Sequence, residues 1–148
     1  MATAWEKFEE LVKQELRKIY SETAIEHSMN PRNLGGLEGA NGYGEATGTC
    51  GDTMKIWIKV KDDIVHDASF TTDGCSTTLA SGSMITELAK GKSIGEAYRI
   101  NQQDVLNALE GLPEESQHCA LLASDTLKIA LKDYLSMKRD PWKRAYRK

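Results

Sequence analysis

The chain has 148 residues, 40% of them hydrophobic and 28% charged, with a net charge of -3, which suits one folded domain and excludes wholesale disorder and a strongly basic nucleic-acid binder. No apolar run approaches bilayer length, and the start Met1-Ala2-Thr3-Ala4-Trp5-Glu6-Lys7 lacks a basic segment followed by an apolar one, so no membrane contact and a cytoplasmic setting are expected. Three cysteines are an odd number for a disulfide framework and read better as thiols kept for metal or sulfur chemistry.

Trp5, Phe8, Leu11, Val12, Leu16 and Ile19 recur at three- and four-residue steps on an otherwise charged segment, predicting an amphipathic helix from Trp5 to Ile19. Residues 1–19 would then be an N-terminal addition to a single domain of 1–148, their stripe either sealing the core or meeting a second copy. Tyr20-Ser21-Glu22 leads into Thr23 to Met29, a second helix or a continuation of the first, ended by Asn30-Pro31. Asn33 to Gly44 is glycine-rich and reads as a loop. Met54, Ile56, Ile58 and Val60 then alternate with Lys55, Trp57, Lys59 and Lys61, the period of a half-buried strand. Asp62-Asp63 supplies a turn, and Ile64 to Thr72 continues as the second strand of a hairpin, with Ile64, His66, Ala68 and Phe70 on one face. Tyr43 to Thr49 would add a third strand, and in an extended chain Cys50 and Asp52 would share the face of Met54.

Ser76 to Leu88 reads as a helix with Leu79, Ala80, Ser83, Met84, Glu87 and Leu88 on one side, closed by Lys90-Gly91-Lys92. Cys75 falls at its N-terminus. Ser93 to Tyr98 is expected to form a short turn of helix, and Asn101 caps another running to Gly111. Pro113-Glu114-Glu115 opens the last long helix, which turns Cys119, Leu122, Ala123, Thr126, Ala130 and Tyr134 to one side and stops at Asp140-Pro141. Residues 140–148 form a basic tail, more simply a solvated charge run than a docking site.

The chemistry gathers in three places: Gly48-Thr49-Cys50-Gly51-Asp52, Gly74-Cys75 and His118-Cys119. Loops and helix starts present backbone N-H groups that favour thiolate, the form that binds metal. A lone cysteine is more often a small buried hydrophobe, but three placed beside glycine or histidine argue for a site. Without a Cys-x-x-Cys pair, neither a zinc ribbon nor a ferredoxin signature is present. A set of Cys50, Asp52, Cys75, His118 and Cys119 fits tetrahedral zinc and equally iron in a labile cluster. A thiol hydrolase with His118 as base and Asp52 as orienter is disfavoured, because neighbours on a helix point about 100° apart. His27 and His66 read as ordinary core or surface histidines.

Gly48 to Lys55, Phe70 to Cys75 with Ala80-Ser81, and His118 to Ala123, preceded by Tyr20-Ser21-Glu22 and Asn30-Pro31-Arg32-Asn33, resemble the signature blocks of the IscU/NifU-type iron-sulfur cluster assembly scaffolds, over about Ile19 to Tyr134. The resemblance implies an α+β fold, a three-stranded antiparallel sheet with helices packed on it. It implies a non-catalytic scaffold that accepts sulfur from a cysteine desulfurase as a persulfide, gathers iron, builds a [2Fe-2S] cluster and transfers it to apo-proteins. Cys50, Cys75 and Cys119 would accept sulfur and hold the cluster. Asp52 would modulate its release or ligation, and His118 would be an occasional fourth ligand. The alternative is a zinc-dependent sulfur acceptor that stimulates a desulfurase, with zinc in the resting protein, although the segment between Cys75 and Cys119 lacks that branch's insertion. Tyr20 matches a family tyrosine linked to persulfide reduction and homodimer formation, though as a helix residue it would also simply pack. Leu112-Pro113-Glu114-Glu115-Ser116-Gln117 stands where many members carry Leu-Pro-Pro-Val-Lys, so recognition by an Hsp70-type chaperone is not expected.

Overall fold

The computed structural model describes residues 3–140 and 142, apart from the side chain of Leu16. The basic tail expected at 140–148 lies, beyond Asp140 and Trp142, outside the described residues. In chain order the elements are α1 (Ala4–Leu16), α2 (Glu22–Met29), β1 (Gly42–Thr47), β2 (Thr53–Lys61), β3 (Ile64–Thr72), α3 (Ser76–Ala89), α4 (Ile94–Tyr98), α5 (Gln102–Ala108) and α6 (Gln117–Arg139), with a 3-10 turn at Glu114–Ser116 before α6. The three strands form one antiparallel sheet in the order β1-β2-β3, as expected.

The sheet follows from its side chains. Met54, Ile56, Ile58 and Val60 are buried and the intervening residues of β2 face outward, so one face makes the core and the other meets water. Asp62 and Asp63 both take positive φ, 55° and 60°, the geometry of a two-residue hairpin turn that aspartate tolerates. The alternation expected for β3 breaks. Lys59 pairs with Asp67 but Val60 pairs with Val65, so His66 is the extra residue of a β-bulge. The bulge reverses the parity, leaving Val65 buried and His66 exposed while Ala68 and Phe70 stay inside.

α6 runs across β1 and β2, α3 packs on β3 and α2, and α4 and α5 close the end against α6. α6 lies almost on the backbone of β1: a Cβ at Gly44 would come within 2.6 Å of the Ala130 nitrogen and the Thr126 oxygen. The Tyr43 amide donates to Asp133 Oδ2 of α6 at 2.9 Å, which fixes the helix along the strand.

α1 is shorter than expected and does not run into α2. Thr3 and Glu6 form a capping box at its start, and the helix ends at Leu16. Ser21 caps α2 through the Ala24 amide at 3.0 Å, and its hydroxyl also reaches the Leu109 carbonyl. Trp5, Phe8 and Leu11 remain 66%, 56% and 61% exposed, so among the described side chains the stripe of α1 does not seal the core.

α3 departs most from the hydrophobic pattern. Instead of one apolar side, Thr77, Thr78, Ala80, Ser81, Gly82, Ser83, Met84, Ile85 and Thr86 are all buried while Glu87 is exposed. The hydroxyls make this tolerable by bonding back along the helix: Ser81 donates to the Thr77 carbonyl and Thr86 to the Gly82 carbonyl, each at 2.9 Å. Ser83 instead joins two elements, accepting from the Arg32 amide at 2.9 Å and meeting His27 Nδ1 at 2.6 Å.

Among the described residues, no helix is long and apolar enough to cross a membrane.

Candidate functional site

Cys50 and Asp52 sit on a tight turn, not on an extended entry to β2. The Gly48 amide donates to the Asp52 carbonyl at 2.8 Å and the Gly51 amide to the Gly48 carbonyl at 3.0 Å, with Gly51 at φ +89°. A glycine is what lets the chain take this left-handed step. The turn leaves Cys50 exposed at its tip and Asp52 half-buried at its base.

The base is tied to the exit of β3. The Thr53 amide donates to Asp73 Oδ1 at 2.7 Å, and the Thr72 hydroxyl donates to the Thr53 carbonyl at 2.7 Å. Gly74 thereby passes directly beside Asp52, and Cys75 follows as the N-cap of α3 with extended backbone. Its sulfur lies 3.0 Å from Thr77 Oγ1 and 3.8 Å from Thr78 Oγ1. Cys119 enters from the first turn of α6, buried at 2% exposure, with its sulfur 3.4 Å from Thr78 Oγ1.

The connection points of three elements therefore meet around one residue the sequence reading passed over. Thr78 Oγ1 donates to Asp52 Oδ2 at 3.0 Å and contacts both Cys75 and Cys119. Among the described residues, cysteine, histidine and acidic side chains do not form a ready metal cage in groups of three or more; a threonine hydroxyl stands between Asp52 and two of the sulfurs. The available signal was the pair Thr77-Thr78 immediately after Gly74-Cys75, polar residues in the first turn of a helix whose start already carried chemistry.

Cys75 and Cys119 are pushed in opposite directions. Burial pushes Cys75 up, but hydrogen bonds from the Thr77 hydroxyl and the Thr78 and Thr77 amides outweigh it and leave the thiol below its ordinary value. Burial raises Cys119, and the nearby charges of Cys75 and Cys50 raise it further, against a smaller opposing effect of the Thr77 hydroxyl. Three sulfurs and a carboxylate that repel one another as anions are stabilised together by a cation, so the donor set suits a thiophilic metal cargo.

His118 Nε2 lies 3.7 Å from the Cys119 sulfur, closer than helix geometry alone suggested. The contact does not make a hydrolase pair, because Cys119 is buried and the carboxylate of Asp52 is bonded to Thr78. His27 and His66 are outside the site, one buried against Ser83 and the other exposed. Tyr20 is half-buried, packs against the core and lines an apolar cavity of about 140 Å³ with Ile25, Met29, Thr77 and Ala80.

A family model described as the NifU-like N terminal domain matches residues 19–140, so α1 precedes the matched region. The chain is 47% identical over 117 residues to the iron-sulfur cluster assembly scaffold protein IscU 1 of Archaeoglobus fulgidus, covering 78% of this chain and 76% of that one. It is 45% identical over 123 residues to the Escherichia coli scaffold protein IscU, covering 79% and 94%. Among solved structures, a NifU-like N-terminal protein from Brucella abortus superposes with a TM-score of 0.64 at 20% identity, covering 82% of this chain and 97% of that one; this likeness concerns the fold. A putative iron-sulfur cluster assembly scaffold protein for the SUF system from Fervidobacterium islandicum gives a TM-score of 0.62 at 25% identity, covering 78% and 98%.

Proposed function

The chain belongs to the family of the NifU-like N-terminal domain, and from that premise we propose that it is a non-catalytic scaffold on which an iron-sulfur cluster is assembled and from which it is passed to recipient apo-proteins. The observation that supports the reading is that Cys75, Cys119 and Asp52 all contact Thr78, with exposed Cys50 two residues before Asp52 on the same turn. Exposed thiols can be reached by a sulfur donor, while a buried one anchors what is built. Three thiolates and one further donor make the four protein ligands that a [2Fe-2S] cargo takes. Asp52 is the fourth donor by position, with His118 next to it in reach of Cys119.

In this reading a cysteine desulfurase passes sulfane sulfur to a thiolate of the scaffold, leaving its own cysteine as thiolate and the acceptor as a persulfide. Cys75 is the first acceptor, because it is both exposed and held below the ordinary thiol value. The carboxylate is a harder and weaker partner for the cargo than a fourth thiolate, so the hold on it is temporary.

Anaerobic incubation of the protein with iron, cysteine, a cysteine desulfurase and a thiol reductant tests the reading. Visible sulfur-to-iron charge-transfer bands, lost in Cys75→Ser, are expected. A colourless protein that takes up only zinc from an iron-replete mixture while accelerating the desulfurase would replace this function with zinc-dependent sulfur acceptance.

A further inference from the structure

Thr78 has no exposed surface and stands on the first turn of α3. Ser81 and Thr86 on the same helix spend their hydroxyls on the carbonyl four residues back. The Thr78 hydroxyl is turned out of the helix instead, towards Asp52 on the β1–β2 turn and Cys119 on α6. A hydroxyl carries one proton and two lone pairs, and a carboxylate only accepts. The proton is therefore committed to Asp52 Oδ2 at 3.0 Å, and the lone pairs are left to the sulfurs of Cys119 at 3.4 Å and Cys75 at 3.8 Å. Asp52 needs such a tether, because the turn that carries it is exposed at Cys50 and Gly51, and Gly51 has open space where a Cβ would be.

We propose that Thr78 is a positioning residue that acts through Asp52: its hydroxyl holds the carboxylate on the side of Cys75 and Cys119, so that arriving metal has only a short rearrangement to make to draw sulfur and oxygen donors together. The inference rests on the reading that the site takes a thiophilic metal. Without the hydroxyl, Asp52 turns to water and the metal must recruit it, which weakens binding even though every ligand is still present. Gly74 belongs to the same device, since a Cβ there would lie 2.6 Å from Thr78 Oγ1 and 2.7 Å from Asp52 Oδ2.

The test is a double-mutant cycle on the full chain, reduced and metal-free, titrated with Co²⁺ and followed by its sulfur-to-cobalt charge-transfer absorption. Thr78→Val, which keeps the shape and drops the hydroxyl, is expected to weaken Co²⁺ binding about tenfold. Thr78→Ser is expected to stay within about twofold of the parent, since a charge-assisted bond survives. In an Asp52→Ala background the Thr78→Val step should shrink to less than about twofold, the non-additivity of two residues that act as one. Equal losses in both backgrounds, or a loss shared by Thr78→Ser, would overturn the proposal and leave Thr78 a packing residue. Should Thr78→Val not fold, as judged by circular dichroism, Thr78→Ala takes its place in the cycle. If the parent itself gives no thiolate band, the metal reading fails on its own. The same cycle is then read from the alkylation rate of Cys75 by iodoacetamide: coupled rates support the tether, and additive rates overturn it.

Discussion

Gly74 and Thr78 approach so closely that a Cβ at position 74 would lie 2.6 Å from Thr78 Oγ1 and 2.7 Å from Thr78 Cβ. Gly74 does not take a positive φ, so its want of a side chain is a matter of space and not of backbone conformation. Gly74→Ala is therefore expected to fold, at a cost of about 1–3 kcal/mol for overpacking. It should nevertheless give about tenfold less reconstituted chromophore, because the wedge separates Thr78 from Asp52. Thermal melts and visible absorbance of the same samples check the two halves, and an alanine variant that reconstitutes like the parent contradicts the packing argument.

Asp52→Ala removes the oxygen donor that competes least well for iron. About tenfold less cargo should form, as in Gly74→Ala, and the cargo that does form on the three thiols should transfer to an apo-ferredoxin on the order of tenfold more slowly. Stopped mixing of loaded scaffold with the acceptor measures this directly. Transfer as fast as in the parent would mean that Asp52 plays no part in release.

The thiols should titrate in a fixed order. Cys75 is held below the ordinary thiol value, despite its partial burial, by the Thr77 and Thr78 hydrogen bonds, whereas Cys119 is raised by burial and by neighbouring sulfur charge. As pH rises through about 8.5, the value of an unperturbed thiol, alkylation at Cys75 should reach its half-maximal rate before alkylation at Cys119 does. Thr77→Val should move the Cys75 midpoint upward. Peptide mapping after timed alkylation of the reduced, metal-free chain reads both, and a Cys119 that reacts ahead of Cys75 would refute the assignment.

His27 links stability to pH at a distance from the thiols. Burial first, then the charge of Arg32, lowers its pKa, against smaller opposing effects of Glu87 and Glu26. Ser83 Oγ accepts from the Arg32 amide at 2.9 Å and lies 2.6 Å from His27 Nδ1, which keeps the imidazole packed inside the fold. The sign follows from the lowered value: the unfolded chain takes up the proton near about pH 6.5, before the folded one does. This contribution is thus complete above that pH and is lost as pH falls towards the folded value. Urea midpoints measured from about pH 7.5 to 5.5 should fall less steeply in His27→Gln than in the parent, and parallel slopes would contradict this. Ser83→Ala, which leaves both partners unpaired, should cost about 1–3 kcal/mol.

The strands were legible because a sheet with one wet face writes its burial into the sequence, as Met54, Ile56, Ile58 and Val60 do. The bulge at His66 was not, since one extra residue reverses parity without changing composition. In α3 much of the buried face is threonine and serine, whose hydroxyls are satisfied on the helix backbone, as at Ser81 and Thr86, or on neighbouring elements, as at Thr78 and Ser83, and a hydrophobic period cannot register them. The three cysteines and Asp52 stood out by type and by their glycine neighbours. Their common partner Thr78 did not, because its importance lies in which way one hydroxyl turns, and that is decided by the close approach of Gly74 and Asp52. The N-terminal stripe gave a helix correctly but said nothing of what it would touch, and Trp5, Phe8 and Leu11 stay in water.

Cys50, Cys75 and Cys119 enter from three separate connections, the β1–β2 turn, the β3–α3 junction and the start of α6. A cargo bound to all three is therefore a removable cross-link between segments far apart in the chain, and it restricts the unfolded ensemble much as a disulfide would. Loading should raise the melting temperature and protect the amides around Gly48 to Asp52 from hydrogen exchange, and unloading should return them to water together. On the proposed function, handing on the cluster would also loosen the end of the fold that held it.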